Sequence, residues 1–235
     1  MLNKILQVMV ITVKKRILFF VIAVGLCLTG LCLYFFKTTN VDSPNTALSI
    51  IIDAGHGGMD GGAVGKGGTT ESYLNLEYAK ELKSLCEEVG FKVIMTRSDM
   101  NGLYSPLASN KKRSEMEKRE SIINGEDGKI VVSIHMNSYP LPSLSGAQVF
   151  YKQDNESGEG LAKTVQSKLE TDGINIRGSA SVGDYYVLNC TDKPAILVEC
   201  GFLSNEEEEK QLCSEDYRKK FCEGLLRGVL EFYSV

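Results

Sequence analysis

The stretch Leu48–Gly58, LSIIIDAGHGG, decides how the rest of the chain is read. Leu48–Ile52 is a short continuous apolar run rich in β-branched residues, the pattern of a strand buried on both faces. Asp53-Ala54-Gly55 stops it in a turn, and the glycine-rich HGGMDGGAVGKGG that follows is too flexible for anything but a loop. Thr69 or Thr70 then caps a helix in which Leu74, Tyr78, Leu82, Leu85 and Val89 keep one face apolar, and Gly90 ends it.

The same alternation repeats along the chain. Phe91–Met95 (FKVIM) reads as a second strand, residues 107–124 as a helix of mixed charge, and Lys129–Ile134 (KIVVSI) as a third buried strand ending at His135. Gly146–Tyr151 (GAQVFY) alternates as a strand, residues 157–171 form an amphipathic helix, Ala195–Val198 (AILV) is a buried strand ending at Glu199, and residues 214–233 close the chain as a helix. These units predict an α/β domain over residues 48–235, with a mainly parallel, twisted sheet and helices on both faces.

Open α/β sheets bind ligands beyond the carboxyl ends of their strands. His56, His135 and Glu199 all stand at such ends, and Glu71 lies in the first turn of the helix where the glycine loop returns. Neighbouring strands lie about 5 Å apart, so side chains leaving one edge can meet around a single ion. Two imidazoles and one carboxylate form the ligand set of hydrolytic zinc sites, which leave a fourth position to water. All-oxygen calcium or magnesium sites would not use histidine, so zinc is the expected metal, ahead of manganese or iron.

Each residue has a plainer explanation as well. Either histidine taken alone is a satisfied core or surface residue, and Glu71 suits the helix dipole whether or not it binds metal. Glu199 is harder to explain away, because a carboxylate after four apolar strand residues is costly to bury without a partner. Asp53 either caps the turn or braces His56. Arg97, just past the second strand, and Arg177, in NIRGSAS, are candidate anchors for a substrate carboxylate or carbonyl, and surface solvation explains either equally well. The run Glu206–Glu209 reads as a solvated helix start. The glycine loop lacks the GxxxxGK[ST] spacing of a nucleotide site.

Composition bounds the remaining possibilities. The 235 residues are 43% apolar and 24% charged, which excludes wholesale disorder, and a net charge of −4 gives no basic face for nucleic acid. The average conceals a split: residues 1–44 hold Lys4, Lys14, Lys15, Arg16 and Lys37 against Asp42 alone, which leaves 21 basic and 29 acidic residues, a net −8, for the remainder. Residues 17–36, ILFFVIAVGLCLTGLCLYFF, are uncharged and long enough to span a hydrocarbon core of about 30 Å. With the basic head at 1–16 kept inside, this transmembrane or signal-anchor helix delivers everything after Lys37 to the outside. No small-residue cleavage site follows Phe36, although a cleaved, secreted form is the alternative. Leucine precedes both Cys27 and Cys32, against a lipoprotein signal. Residues 37–47 read as a tether. The five remaining cysteines form no zinc pattern, and a Cys213–Cys222 bridge is conceivable outside the cell.

The motifs IIIDAGHGGMDGGAVG, TTESYLNLEYAKEL, VIMTR, VVSIHMNS, NIRG, Val187-Leu188 and PAILVECGFLSN, in that order, resemble the zinc-dependent N-acetylmuramoyl-L-alanine amidases of the bacterial cell wall, the amidase-3 family. The resemblance covers residues 48–235 and implies zinc ligands at His56, Glu71 and His135 and a catalytic glutamate at Glu199. It also implies the reaction, cleavage of the amide between the lactyl group of N-acetylmuramic acid and the first L-alanine of the stem peptide. The short segment YPLPSLSG after HMNS leaves no room for the zinc-occluding helix of cell-division members. Without wall-binding repeats, targeting falls to the anchor or to a protein partner. A single anchored domain is most similar to sporulation- and germination-specific members, which strip stem peptides from cortex peptidoglycan for muramic-δ-lactam formation. A vegetative wall autolysin, another zinc hydrolase of the wall such as a carboxypeptidase or a sugar deacetylase, and an inactive wall-binding module are the alternatives. A loose site that needs an activating partner is a further expectation, motivated by the glycine loop between His56 and Glu71.

Overall fold

The computed structural model describes residues 48–234. The basic head, the apolar segment 17–36 and the tether 37–47 lie outside the described residues. Among the described residues no helix is long and apolar enough to cross a membrane.

Strands β1 (Ser49–Ala54), β2 (Lys92–Met95), β3 (Ile130–Asn137), β4 (Gln148–Tyr151), β5 (Ser181–Val182) and β6 (Ala195–Phe202) form one sheet in the order β2-β1-β3-β6-β4-β5. The helices are α1 (Glu71–Glu88), α2 (Lys111–Gly125), α3 (Glu156–Thr171), α4 (Tyr186–Asn189), α5 (Glu206–Cys213) and α6 (Glu215–Ser234). The pairs β1–β2, β1–β3, β3–β6 and β4–β5 are parallel, but β4 runs antiparallel to β6. The sheet is therefore mixed rather than simply parallel. The ten residues between β3 and β4 carry no helix, so the chain turns back and lays β4 against β6 in the opposite sense, where a parallel return needs a long crossover.

Helices cover both faces. Side chains alternate along each strand, so Ile50 and Ile52 of β1, Val132 and Ile134 of β3, and Ile196 and Val198 of β6 all enter one core. There they meet Leu74, Tyr78 and Leu82 of α1, Leu161 and Val165 of α3, and Phe221 and Leu225 of α6. Ile51, Val131 and Leu197 point the other way, onto Ile123 of α2 and Val187 and Leu188 of α4. Burying one such aliphatic side chain contributes about 1.5–3 kcal/mol, which fixes the register because a slip by one residue would exchange the two faces.

Local chemistry sets the element ends. Asn110 accepts a hydrogen bond from the Arg113 amide at 2.9 Å and starts α2 later than the charge pattern alone predicts. Gly90, at φ +92°, follows α1 in the left-handed conformation that suits glycine, and Val89 before it is exposed instead of facing the core. Strands β3 and β6 run past His135 and Glu199, because each continues to pair with the other up to Asn137 and Phe202. The thiols of Cys213 and Cys222 are both free, the first exposed and the second buried.

Candidate metal centre and active site

Three elements bring His56, Glu71 and His135 together. His56 follows β1 at φ +59°, a left-handed conformation made possible by the glycines around it, and this turns its imidazole back over the sheet edge. Glu71 opens α1, and His135 projects from β3 on the face that carries α2. Glu71 Oε1 lies 3.1 Å from His56 Nε2 and 3.0 Å from His135 Nδ1, and one donor atom from each residue falls within 4.8 Å of the others. The rings meet edge to face at 5.2 Å between centroids.

The cluster is braced from below. The amides of Ala63 and Met136 donate to Glu71 Oε2 and Oε1, at 2.9 and 3.2 Å. Asn75, one turn along α1, donates to the same Oε1 and to the Gly55 carbonyl. His56 Nδ1 lies 2.9 Å from Asp60 Oδ2, an ion-pair distance without hydrogen-bond geometry, so the carboxylate beside this histidine is Asp60 rather than Asp53. A carboxylate four residues after the histidine in GHGGMDGG was the available signal, although nothing in the spacing sets Asp60 apart from a turn residue.

Asp53 neither caps the turn nor braces His56. It is fully buried, ion-paired with Arg119 of α2, and accepts hydrogen bonds from Ser133 Oγ at 2.6 Å and Thr96 Oγ1 at 2.7 Å. Burial alone would raise its pKa, but Arg119 and the two hydroxyls hold the carboxyl below the usual range. Arg119 also donates to the carbonyls of Ala54 and His56 and pairs with Glu115, so one guanidinium ties β1, the His56 turn and α2 together. The alternating charges of α2 gave no sign that Glu115 and Arg119 would be buried.

Arg97 is likewise structural. It is buried, and four of the five N–H donors of its guanidinium serve the carbonyls of Ala54, Asp99, Gly55 and Ser72. This corrects the expectation of a substrate anchor at Arg97: the two ends of the glycine loop leave unpaired carbonyls that a buried guanidinium satisfies. Arg177 is exposed, with its guanidinium 5.7 Å above the Phe202 ring. The acidic run also departs from the solvated reading. Glu206 starts α5 as expected, but Glu208 is buried and accepts from the amides of Phe202 and Gly146, while Glu209 accepts from those of Gly67 and Thr69 and so pins the glycine loop.

Glu199 lies opposite His135 in the β3–β6 register, and only 8% of its surface is exposed. Its Oε2 is buried with no hydrogen-bond partner among the described residues. Burial pushes its pKa up to about 7; the nearby histidines oppose that shift and Glu71 adds to it. For His56, burial opposes the charge, but Glu71 and Asp60 outweigh it and raise the ring to about 9. Burial would raise Glu71, yet His135 and His56 hold it far below the usual carboxylate range. Three convergent donors of one hard and two imidazole ligands, beside an unpartnered carboxylate oxygen, fit a divalent metal with an open position. A shallow cavity of 160 Å³ opens onto His56 and His135 and is walled by Tyr185, Tyr186 and Lys112.

Comparison with known proteins agrees with this geometry. Residues 50–231 match the Amidase_3 family, N-acetylmuramoyl-L-alanine amidase. The germination-specific N-acetylmuramoyl-L-alanine amidase of Bacillus subtilis is 33% identical over 214 residues, covering 87% of this chain and 90% of that one. Among solved structures, the CwlD amidase of Clostridioides difficile in complex with the GerS lipoprotein is 35% identical with a TM-score of 0.76, covering 79% of this chain and 98% of that one. The catalytic domain of CwlV, an N-acetylmuramoyl-L-alanine amidase from Bacillus (Paenibacillus) polymyxa, is 29% identical with a TM-score of 0.70, covering 80% of this chain and 98% of that one. With the family matched along almost the whole described body, and three side chains able to hold a metal ion converging beside a buried glutamate, this chain belongs to the N-acetylmuramoyl-L-alanine amidase family.

Proposed function

We propose that this amidase is zinc-dependent, that His56, Glu71 and His135 hold the metal, and that Glu199 is its general base and acid. The observation that carries the reading is the convergence of the three donors on one point, with an unpartnered Glu199 carboxylate oxygen on the neighbouring strand. A zinc ion held there supplies Lewis-acid polarisation of the lactyl carbonyl and a more acidic water. The chain's own residues do the rest. Glu199 takes a proton from the attacking water and returns it to the departing alanine nitrogen, a double duty suited to a carboxyl whose pKa burial has moved toward neutrality. Asp60 and Asn75 keep the ligand side chains aimed.

The substrate in this reading is spore-cortex peptidoglycan, from which stem peptides are removed so that muramic-δ-lactam can form. Support comes from the germination-specific relative in Bacillus subtilis, which the chain matches over nearly its whole length. The protein works outside the cytoplasm, held by the apolar segment 17–36 as a membrane anchor. A lipoprotein-type partner that orders or positions the domain is part of the same proposal, because a similar solved amidase is bound to one. The deciding experiment is digestion of purified cortex peptidoglycan by the full-length chain, with product masses read out. The expected products are peptide-free muramic acid and stem peptides beginning with L-alanine. Loss of an acetyl mass from the sugar, or shortening of the stem at its far end, would instead identify a deacetylase or a carboxypeptidase.

A further inference from the structure

The first turn of α2 carries Lys111, Lys112 and Arg113 in succession and no acidic residue. Three cations at the positive end of a helix dipole are unfavourable for the helix by a few tenths of a kcal/mol each, so the dipole does not account for them. Two of the three are occupied. Lys111 stands over the Tyr104 ring at 5.4 Å, and Arg113 pairs with Glu117 at 2.7 Å. The carboxylates on this side are occupied too: Glu115 pairs with Arg119, Glu120 accepts from the Tyr186 hydroxyl, and Asp60 is held by His56. Lys112 is left exposed, with no ion pair or hydrogen bond among the described residues, and the carboxylate that feels its charge is the half-exposed Asp60, whose pKa it helps to lower without pairing with it.

Its position gives that free ammonium a use. Lys112 and Met116 together line the cavity that holds His56 and His135 and also the two depressions on either side of it. A chain whose scissile amide lies over the two histidines therefore extends along a groove whose one uncommitted cation is Lys112. Arg177, the other exposed cation considered above, lines none of these depressions and lies over Phe202.

We infer that Lys112 is a specificity residue that pairs with a free carboxylate of the stem peptide, so that the enzyme distinguishes stems with an ionised carboxyl near the scissile amide from stems in which it is amidated. The inference rests on the amidase reading of the site and adds to it a preference that the metal cluster alone does not produce. An ammonium and a carboxylate meeting in a half-open groove attract each other without demanding fixed geometry, and salt screens the attraction.

The test uses the full-length protein in detergent and soluble glycan strands bearing stems that differ only in whether the second-residue carboxyl is free or amidated. The readout is the ratio of kcat/KM for the two substrates, in wild type and in the Lys112→Gln and Lys112→Arg variants. The expected ratio favours the free acid by about fivefold in wild type, shrinks as salt is raised, survives in Lys112→Arg and falls to near unity in Lys112→Gln. A wild-type ratio of one, or a ratio that Lys112→Gln leaves in place, overturns the inference. A wild type that cleaves neither substrate, with zinc added and with its lipoprotein-type partner present, overturns the amidase reading beneath it, and the two failures are distinct in the data.

Discussion

His135 and Glu199 are register partners on adjacent parallel strands, so a histidine of the His56–Glu71–His135 cluster and the buried carboxylate beside it are fixed relative to each other by the β3–β6 ladder. Neither depends on a loop. The arrangement ties chemistry to backbone pairing, since a slip of one residue would turn Glu199 to the face that Val198 and Cys200 now fill and turn those two residues out of their core. Only the third participant, the His56–Glu71 side, hangs on a glycine loop that needs several separate braces.

Glu199→Gln is expected to lower kcat by about 10²–10⁴-fold, the range of general acid–base catalysis, while metal content measured by elemental analysis stays at the wild-type level. The folded pKa of about 7 lies above the ordinary 4.5, so in metal-free protein this group favours folding most below 4.5 and that contribution is lost as pH rises through 7. The variant should therefore show a flatter dependence of Tm on pH between 5 and 8 than wild type.

Chelation is expected to abolish activity, and added zinc to restore it. His56→Ala, Glu71→Ala and His135→Ala should each lower metal affinity, read as metal retained after dialysis. Metal-free protein should also melt lower, because a ligand that binds only the folded state at 100 times its Kd stabilises that state by about 2.7 kcal/mol. Retention of full activity after complete metal removal would refute the metal reading.

Gly55→Ala is a sharper probe of the same site. A Cβ on Gly55 would overlap the His135 ring, where only a missing side chain leaves room. The expected outcome is a folded protein with displaced His135, poor metal retention and activity reduced at least about 10²-fold, as misplacement of about 1 Å commonly produces.

Asp53→Asn is expected to destabilise the domain by about 3–5 kcal/mol, because Arg119 would lose its buried counter-charge. The lowered pKa of Asp53 means its stabilisation is present above its ordinary value of 3.8 and is lost as pH falls through the still lower folded value. Denaturant midpoints should thus fall in wild type as pH drops from 4 to 2, and fall less steeply in the variant.

Glu209→Gln should loosen the glycine loop. Faster amide exchange at residues 65–70 and a weaker hold on metal through Glu71 are the expected signs, with about 1.5–3 kcal/mol at stake for hydrogen bonds to a charged acceptor.

The strands that build the site were legible because their apolar runs are short, β-branched and bounded by glycine or polar residues, and because periodicity reports burial directly. For the same reason His56, Glu71, His135 and Glu199 stood out: each is a polar residue at a place where an apolar run or a glycine loop ends. The reversal of β4 left no such mark. Strand direction is set by how the chain returns across the sheet, and GAQVFY reads the same in either sense.

The sequence by itself thus determined which residues alternate into the core and which four side chains stand near one sheet edge. Only the tertiary structure decided the partnerships: Arg119 with Asp53, Arg97 with four backbone carbonyls, Glu209 with the glycine loop, and Lys112 without an ion pair in the groove beside the histidines. Burial shows in sequence because it requires apolar residues at a fixed period. A buried ion pair uses the same residue types as a solvated surface, so its meaning appears only when the partner segment, often sixty or more residues away, is packed against it.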